Sequence, residues 1–376
     1  MEPIVKSVEY VDEGERFVAY VASAERCNVT ATLRGEPVRV LSNLREPFDF
    51  RMHIFLLPAA ALRGAGSFRV LFERRRKDRP SLCFEGDSVF LEEDIAFSQA
   101  LVRKPDDSVK RSDRGLTFDG VTDSGDADGL AWKAELFRTP DGAPVRVFTM
   151  WADPGKCGIL CGTPHMKPEF APGVIQRVIE EAEEAQALGY DVIGAANGDF
   201  FDMFGDCRPS GLCVRGGTVV ANADSDNPFL GITRGGEAVI GRASDYPPET
   251  LDEAIAGGQI ILLDGEIHDT AAFRPFGEVT HPRTAYGIGY DGRVIVTVVD
   301  GRRKAWSNGA SLCELALIMK RNGARIAMNT DGGGSSTFIV KKEGELTMLN
   351  HPADLVRPDD DLIRPLFDSI LIYRKN

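Results

Sequence analysis

Two triplets, Asn197-Gly198-Asp199 and Asn329-Thr330-Asp331, each set an amide and a carboxylate two residues apart directly after a short apolar run. Two carboxylates brought to one cleft are what glycosidic hydrolysis needs, one as nucleophile or base and the other as acid. The same pair could instead ligate a hard divalent cation, calcium or magnesium, through oxygen, and no other cofactor is expected. The second triplet runs on into Gly332-Gly333-Gly334-Ser335-Ser336-Thr337, glycines and hydroxyls with no core to fill. Glycine runs suit sharp turns or close approach of backbone to a ligand. Composition alone reads equally well as a hairpin turn, and the existence of a second Asn-x-Asp loop is what favours a ligand site.

The elements that must position these triplets are alike. A helical pattern with apolar Val174, Ile175, Val178, Ile179, Ala182 and Ala185 opens near Pro172 and stops at Gly189. A short run, Val192 to Ala195, then delivers Asn197. Downstream, Ser311-Leu312-Cys313-Glu314 reads as a capping box, Asn322-Gly323 as a C-terminal stop, and Arg325 to Met328 as the strand that delivers Asn329. Both units predict a helix, a glycine stop, a short strand and an Asn-x-Asp end.

Arg283 to Gly289 and Val294 to Val299 flank Asp291-Gly292, a hairpin signature. Its second strand is apolar on both faces and so expected in the middle of its sheet. A hairpin of this kind brings Arg283 and Asp300 together at its open end. A surface ion pair is one reading; an Arg283 clamp oriented by Asp300 is the other.

With 376 residues the chain has room for two domains, and a net charge of −13 argues against nucleic-acid and anionic-membrane partners. No apolar run approaches the ~20 residues of a membrane span, and the N-terminus has no apolar signal core, so a cytoplasmic location is expected unless a signal precedes this sequence. Cysteines at 157, 161, 207 and 213 lack zinc-knuckle spacing; free thiols, or one disulfide among these four, are both compatible with it. Short alternating runs around Phe17–Val21, Val29–Leu33, Val38–Leu41 and Phe68–Phe72, with turns at Gly14, 35–37 and 64–66, predict a small β-sandwich. The charged stretch 74–80 reads as its solvated connector, and 103–114 as a long loop. The fold class expected is α+β, or mixed α/β: a catalytic domain over 86–376 with a mixed sheet flanked by helices, preceded by an all-β sandwich over 1–85.

Other motifs fail. The triple glycine is followed by a strand, so it cannot set a phosphate on a helix N-terminus; there is no Walker lysine and no nucleophile elbow. Asp123-x-x-Asp126-x-Asp128-Gly129 lacks the closing Glu of a calcium loop.

Asn-Gly-Asp-Phe-Phe (197–201), Pro-Ser-Gly (209–211), His-Pro-Arg-Thr-Ala (281–285), Asp-Gly-Arg (300–302), Asn-Thr-Asp-Gly-Gly-Gly-Ser-Ser-Thr (329–337), Asn350-x-Pro352 and Arg364-Pro365 together resemble the phosphodiester glycosidase family, over roughly residues 145–373. Thr330 stands where that family usually has Leu, and the N-terminal sandwich has no counterpart in it. The resemblance implies hydrolysis of a carbohydrate phosphodiester to free sugar and phosphate monoester. Asp199 and Asp331 would be the catalytic carboxyls, and Arg283, held by Asp300, would clamp phosphate beside N–H groups of Gly332, Gly333 and Gly334. Asn197, Gly198, Ser210, His281, Asn329, Ser335, Ser336 and Asn350 would line the substrate site. A metal-dependent phosphodiesterase and a non-catalytic glycan-binding protein are the other two readings, and oligomeric state is not legible.

Overall fold

The computed structural model describes residues 5–12, 16–23, 27–40, 52–74, 89–98, 102–103, 113–203, 205–267, 277, 279–353 and 363–375. Chain contacts divide it into one unit of 1–109 with 271–276 and a second of 110–270 with 277–376. Strands dominate both.

In the first unit, period-2 burial of Phe17, Ala19 and Val21 shows why the alternating runs became strands: one face of each is closed off from water. Eight strands form one sheet in the order Val89–Ala96, Ser67–Arg74, Cys27–Leu33, Glu36–Val40, Met52–Pro58, Arg16–Ser23, Val5–Asp12, Val102–Arg103. Tyr10, Phe17, Phe55, Phe68 and Phe72 fill its core, with Leu62 of the short helix Ala59–Ala65. The last two strands of this unit lie beyond residue 85 and pair with Ser67–Arg74 and Val5–Asp12. The expected turn at Gly14, the connector at 75–80 and most of the loop at 103–114 lie outside the described residues.

The second unit holds an eight-stranded and two five-stranded sheets. The expected hairpin is present, with Gly292 at φ 79° in its turn, and lies in the middle of the large sheet with Val294–Val299 buried at every position. Phe148 of that sheet meets Phe338 of the Asp191–Asn197 sheet with ring centroids 5.8 Å apart, within a core shared by both.

A mixed sheet was expected here, yet the strand pairings of this unit are antiparallel among the described residues. The reason lies in how the two helices cross over. The helix Val178–Ala187 links Cys157–Gly162 to Asp191–Asn197, which run parallel, but Ser369–Arg374 lies between them, antiparallel to each. The helix Leu312–Arg321 links Val294–Val299 to Ala324–Thr330 around Arg283–Gly289 in the same manner. Both helix-strand units therefore share one topology: a crossover with a third strand inserted.

The second helix begins on the Ser311–Glu314 capping box and ends at Asn322-Gly323, as its sequence signals. The first begins six residues later than Pro172 because Gln176 instead exchanges backbone hydrogen bonds with Leu366, at 2.8 and 2.7 Å. None of the described helices is long and apolar enough to cross a membrane.

Candidate active site

The two Asn-x-Asp triplets leave adjacent strand ends and are laced together. Asn197 Nδ2 donates to the Asp331 carbonyl at 2.7 Å, the Asp331 N–H to the Gly198 carbonyl at 3.2 Å, and the Thr330 hydroxyl to that same carbonyl. Thr284 and the Thr337 N–H close on Asn197 Oδ1 at 2.8 and 3.1 Å, and Tyr286 donates to the Asn197 carbonyl. With both ends of its amide engaged and no exposure, Asn197 is a stitch between strands, not the sugar ligand expected of it.

Asp331 is partly exposed and bonds the Gly332 N–H at 2.8 Å. Burial pushes its carboxyl up to about 6, while Arg364, the Ser335 hydroxyl, the Gly332 N–H and Arg302 pull it back. Asp199 is buried, and its oxygens accept the Phe200 and Gly211 N–H groups at 2.7 and 2.6 Å. Burial, and then the charge of Asp368, drive Asp199 well above the ordinary carboxylate range. Asp368 was not singled out in the sequence. Its Oδ1 accepts the Asp199 N–H at 2.7 Å, its Oδ2 is buried with no hydrogen-bond partner, and burial raises it to about 7. Gly198 has to be glycine because a Cβ there would collide with Asp368.

The expected Arg283–Asp300 clamp is corrected. Arg283 registers opposite Val299, so Asp300 is one residue further along and its side chain projects from the opposite face of the sheet. Arg283 is buried and donates from Nε to the Ala310 carbonyl at 3.1 Å and from Nη2 to the Val279 carbonyl at 2.8 Å. Burial lowers its guanidinium to about 9, with Glu314 pulling upward. Asp300 accepts Asn350 Nδ2 at 3.0 Å, Trp306 Nε1 at 2.7 Å and the His351 N–H at 2.8 Å.

The glycine nest is also altered. The Gly332 N–H is taken by Asp331 and the Gly333 N–H by the Pro282 carbonyl at 3.0 Å, which leaves two of the three expected donors unavailable to an anion. The cations facing Asp331 are Arg302 and Arg364. Arg302 sits in the left-handed region at φ 61° and packs its guanidinium against Gly333, where a Cβ would lie 2.9 Å from Nη1. Such backbone costs a non-glycine residue of order 1 kcal/mol and collects at functional sites.

The remaining expected residues divide between support and access. Asn329 Oδ1 accepts the Gln259 N–H at 3.0 Å, and Asn350 bonds Asp300, the Ser336 carbonyl and the Phe338 N–H, so both amides hold backbone. Ser335 Oγ accepts from Arg364 at 3.2 Å. Ser336 Oγ is buried without a hydrogen-bond partner. Ser210 is exposed, and burial keeps His281 neutral by lowering it to about 3. Cys157, Cys161, Cys207, Cys213 and Cys313 are buried thiols, so no two of the four candidates form a disulfide.

Residues 190–373 match the model of the phosphodiester glycosidase family. It is 31% identical over 193 residues to the N-acetylglucosamine-1-phosphodiester alpha-N-acetylglucosaminidase of Bos taurus, which covers 46% of this chain and 34% of that protein. To the Mus musculus protein of that name it is 30% identical over 247 residues, 60% of this chain and 43% of the other. The chain thus spans less than half the length of these curated relatives. The solved catalytic domain of the zebrafish protein of that name shares the fold, with a TM-score of 0.52, 20% identity, and coverage of 69% of this chain and 88% of that one.

Proposed function

We propose that the chain hydrolyses a glycosyl phosphodiester, releasing free sugar and a phosphate monoester. The observation that carries this reading is the laced pair of Asn-x-Asp strand ends, with Arg302 and Arg364 facing the accessible Asp331. The relatives, which act by name on N-acetylglucosamine-1-phosphodiesters, support the same substrate class and alpha-linked N-acetylglucosamine as the sugar.

The leaving group in such a reaction is a phosphate monoester with a second pKa near ~6, so it departs with little help from a general acid. What it needs is stabilisation of its charge, and two guanidiniums supply planar, bidentate donors for that. As the bond between the anomeric carbon and the phosphate oxygen breaks, its electron pair stays with phosphate. Water's oxygen ends on the anomeric carbon. Asp331 takes the water proton or attacks the carbon itself, and in either role it works as the carboxylate. Asp199, beneath it, is the second carboxyl of the pair, and the Ser336 hydroxyl is the free hydrogen-bonding group for a sugar or phosphate oxygen.

Purified protein given UDP-alpha-N-acetylglucosamine in isotopically labelled water tests this. Labelled free sugar and unlabelled UDP are expected. Sugar 1-phosphate and label in the phosphate product would assign P–O cleavage and overturn the glycosidase reading. Saturable binding without turnover would make the protein a glycan binder.

A further inference from the structure

Beneath the two catalytic candidates lies a second cluster that the hydrolysis does not use. Cys161, on the strand Cys157–Gly162, and Cys213, on the strand Cys213–Arg215, come from two different sheets and bring their sulfurs to 3.5 Å. A carboxylate oxygen of Asp368 completes a triangle in which the donor atoms all lie within 4.8 Å of one another. All three residues are almost entirely shielded from solvent, with Asp368 only 1% exposed. Asp368 Oδ1 is committed to the Asp199 N–H, whereas Oδ2 is buried with no hydrogen-bond partner.

We infer that Cys161, Cys213 and Asp368 form a zinc site. Tetrahedral zinc with bonds of ~2.3 Å to sulfur and ~2.0 Å to oxygen sets two thiolate sulfurs about 3.8 Å apart and each about 3.5 Å from the oxygen; the sulfurs already stand 3.5 Å apart, with the oxygen within 4.8 Å of both. Two thiols select a borderline-soft ion over calcium or magnesium, which take oxygen ligands. The thiols face Asp368, Asp199 and Glu253, and the neighbouring cation, Arg215, spends its guanidinium on the Met166 and Cys161 carbonyls. A dication gives the orphan Oδ2 its partner, and the two thiol protons it displaces leave the net charge of the pocket unchanged. Binding releases the two thiol protons as Zn²⁺ takes two thiolates and one carboxylate, with one coordination position left open. The ion does not touch the sugar. Through Asp368 it fixes the N–H of Asp199, which makes it a positioning element for the 199–211 loop.

The test uses tag-free full-length protein kept reduced, loaded with zinc and dialysed. One zinc per chain is expected by elemental analysis, and the cobalt-substituted protein should show a near-ultraviolet thiolate-to-cobalt band. Cys161→Ser combined with Cys213→Ser should abolish the band and lower zinc at least tenfold. Full zinc retention by a folded double variant would place the metal elsewhere and overturn the site. So would wild-type protein that holds no zinc and shows no thiolate band, or that yields a Cys161–Cys213 disulfide when alkylated without reductant. If the double variant fails to fold, the wild-type cobalt spectrum decides alone.

Discussion

Asp368 accepts the backbone N–H of Asp199 at 2.7 Å, so the carboxyl that opens one strand holds the end of the neighbouring strand. In the other crossover unit the Asn of the triplet is likewise paired to the inserted strand, Asn329 with Ala285 as Asn197 with Ser369. Thr284 is thus the positional counterpart of Asp368. In both units the inserted strand begins beside the Asn-x-Asp end, where Asp368 takes the Asp199 N–H and Thr284 bonds Asn197 Oδ1, while Arg283 turns to the Ala310 and Val279 carbonyls.

Asp331→Asn should lower kcat/KM for a glycosyl phosphodiester about a hundred- to ten-thousand-fold, the usual range for a lost proton-transfer group. Because Asp331 is held up to about 6 and acts ionised, wild-type kcat/KM should rise with pH through about 6. A pH–rate profile with no limb near that value would remove Asp331 from the chemistry.

The same shift has a cost in stability. A carboxyl whose folded pKa exceeds its unfolded one contributes stability below the unfolded value, and that contribution is lost as pH rises through the folded value. For Asp331 the window runs from its ordinary 3.8 to about 6. Asp331→Asn keeps an oxygen for the Gly332 N–H, so denaturant melts at pH 7.5 should show a gain of order 1 to 2 kcal/mol over wild type, after allowance for partial exposure. At pH 4 the gain should vanish; equal gains at both values would exclude ionisation as its cause.

Two arginine variants should behave in opposite ways. Arg302→Lys keeps charge but loses the planar fork, and should cost about 2 to 4 kcal/mol in transition-state stabilisation with phosphodiester substrates and far less with an aryl glycoside. Arg283→Lys should affect both substrates alike and lower Tm, since the buried Ala310 carbonyl loses a donor at about 1 to 3 kcal/mol and the exposed Val279 segment loses its tie. Selective loss of diester activity in the Arg283 variant would restore it as the phosphate clamp.

Asp300→Asn sets an amide against the Trp306 Nε1–H and His351 N–H that now donate to Oδ2. One donor must be left facing another, at about 1 to 3 kcal/mol of folding free energy. Chemical denaturation should register that loss, with KM rising more than kcat falls as the 350 loop loosens. An unchanged denaturation midpoint would refute the role assigned to Asp300.

Much of the site could be read because it depends on local chemistry. The Ser311–Glu314 box, the Asp291-Gly292 turn and the two glycine stops are fixed by groups a few residues apart, and each formed where its residues signal it. The roles of Arg283 and Asp300 were not legible, since a hairpin brings them close in backbone while strand alternation sends their side chains apart. Asp368 was missed for another reason: its importance comes from insertion of the Ser369–Arg374 strand between two others far earlier in sequence, and one carboxylate before an apolar run carries no such information. A faint signal was available, because an Asp opening an apolar strand matches Arg283 opening another. The helix at Val178 started late because the Gln176–Leu366 bridge, a pairing across the chain, outcompeted local propensity.

The inserted strand also sets an order of assembly. Asp191–Asn197 and Cys157–Gly162 are made early, yet the strand that hydrogen-bonds to both is Ser369–Arg374. As the chain leaves the ribosome, those two edges wait for this partner while about half of it is synthesised, and closing so long a loop makes the pairing slow. The proposed site is therefore completed last. A polypeptide cut short between residues 338 and 368 keeps both Asn-x-Asp loops but loses the carboxylate that takes the Asp199 N–H, so premature termination would yield a protein with a loosened site and open strand edges, the kind of species that aggregates or recruits a chaperone.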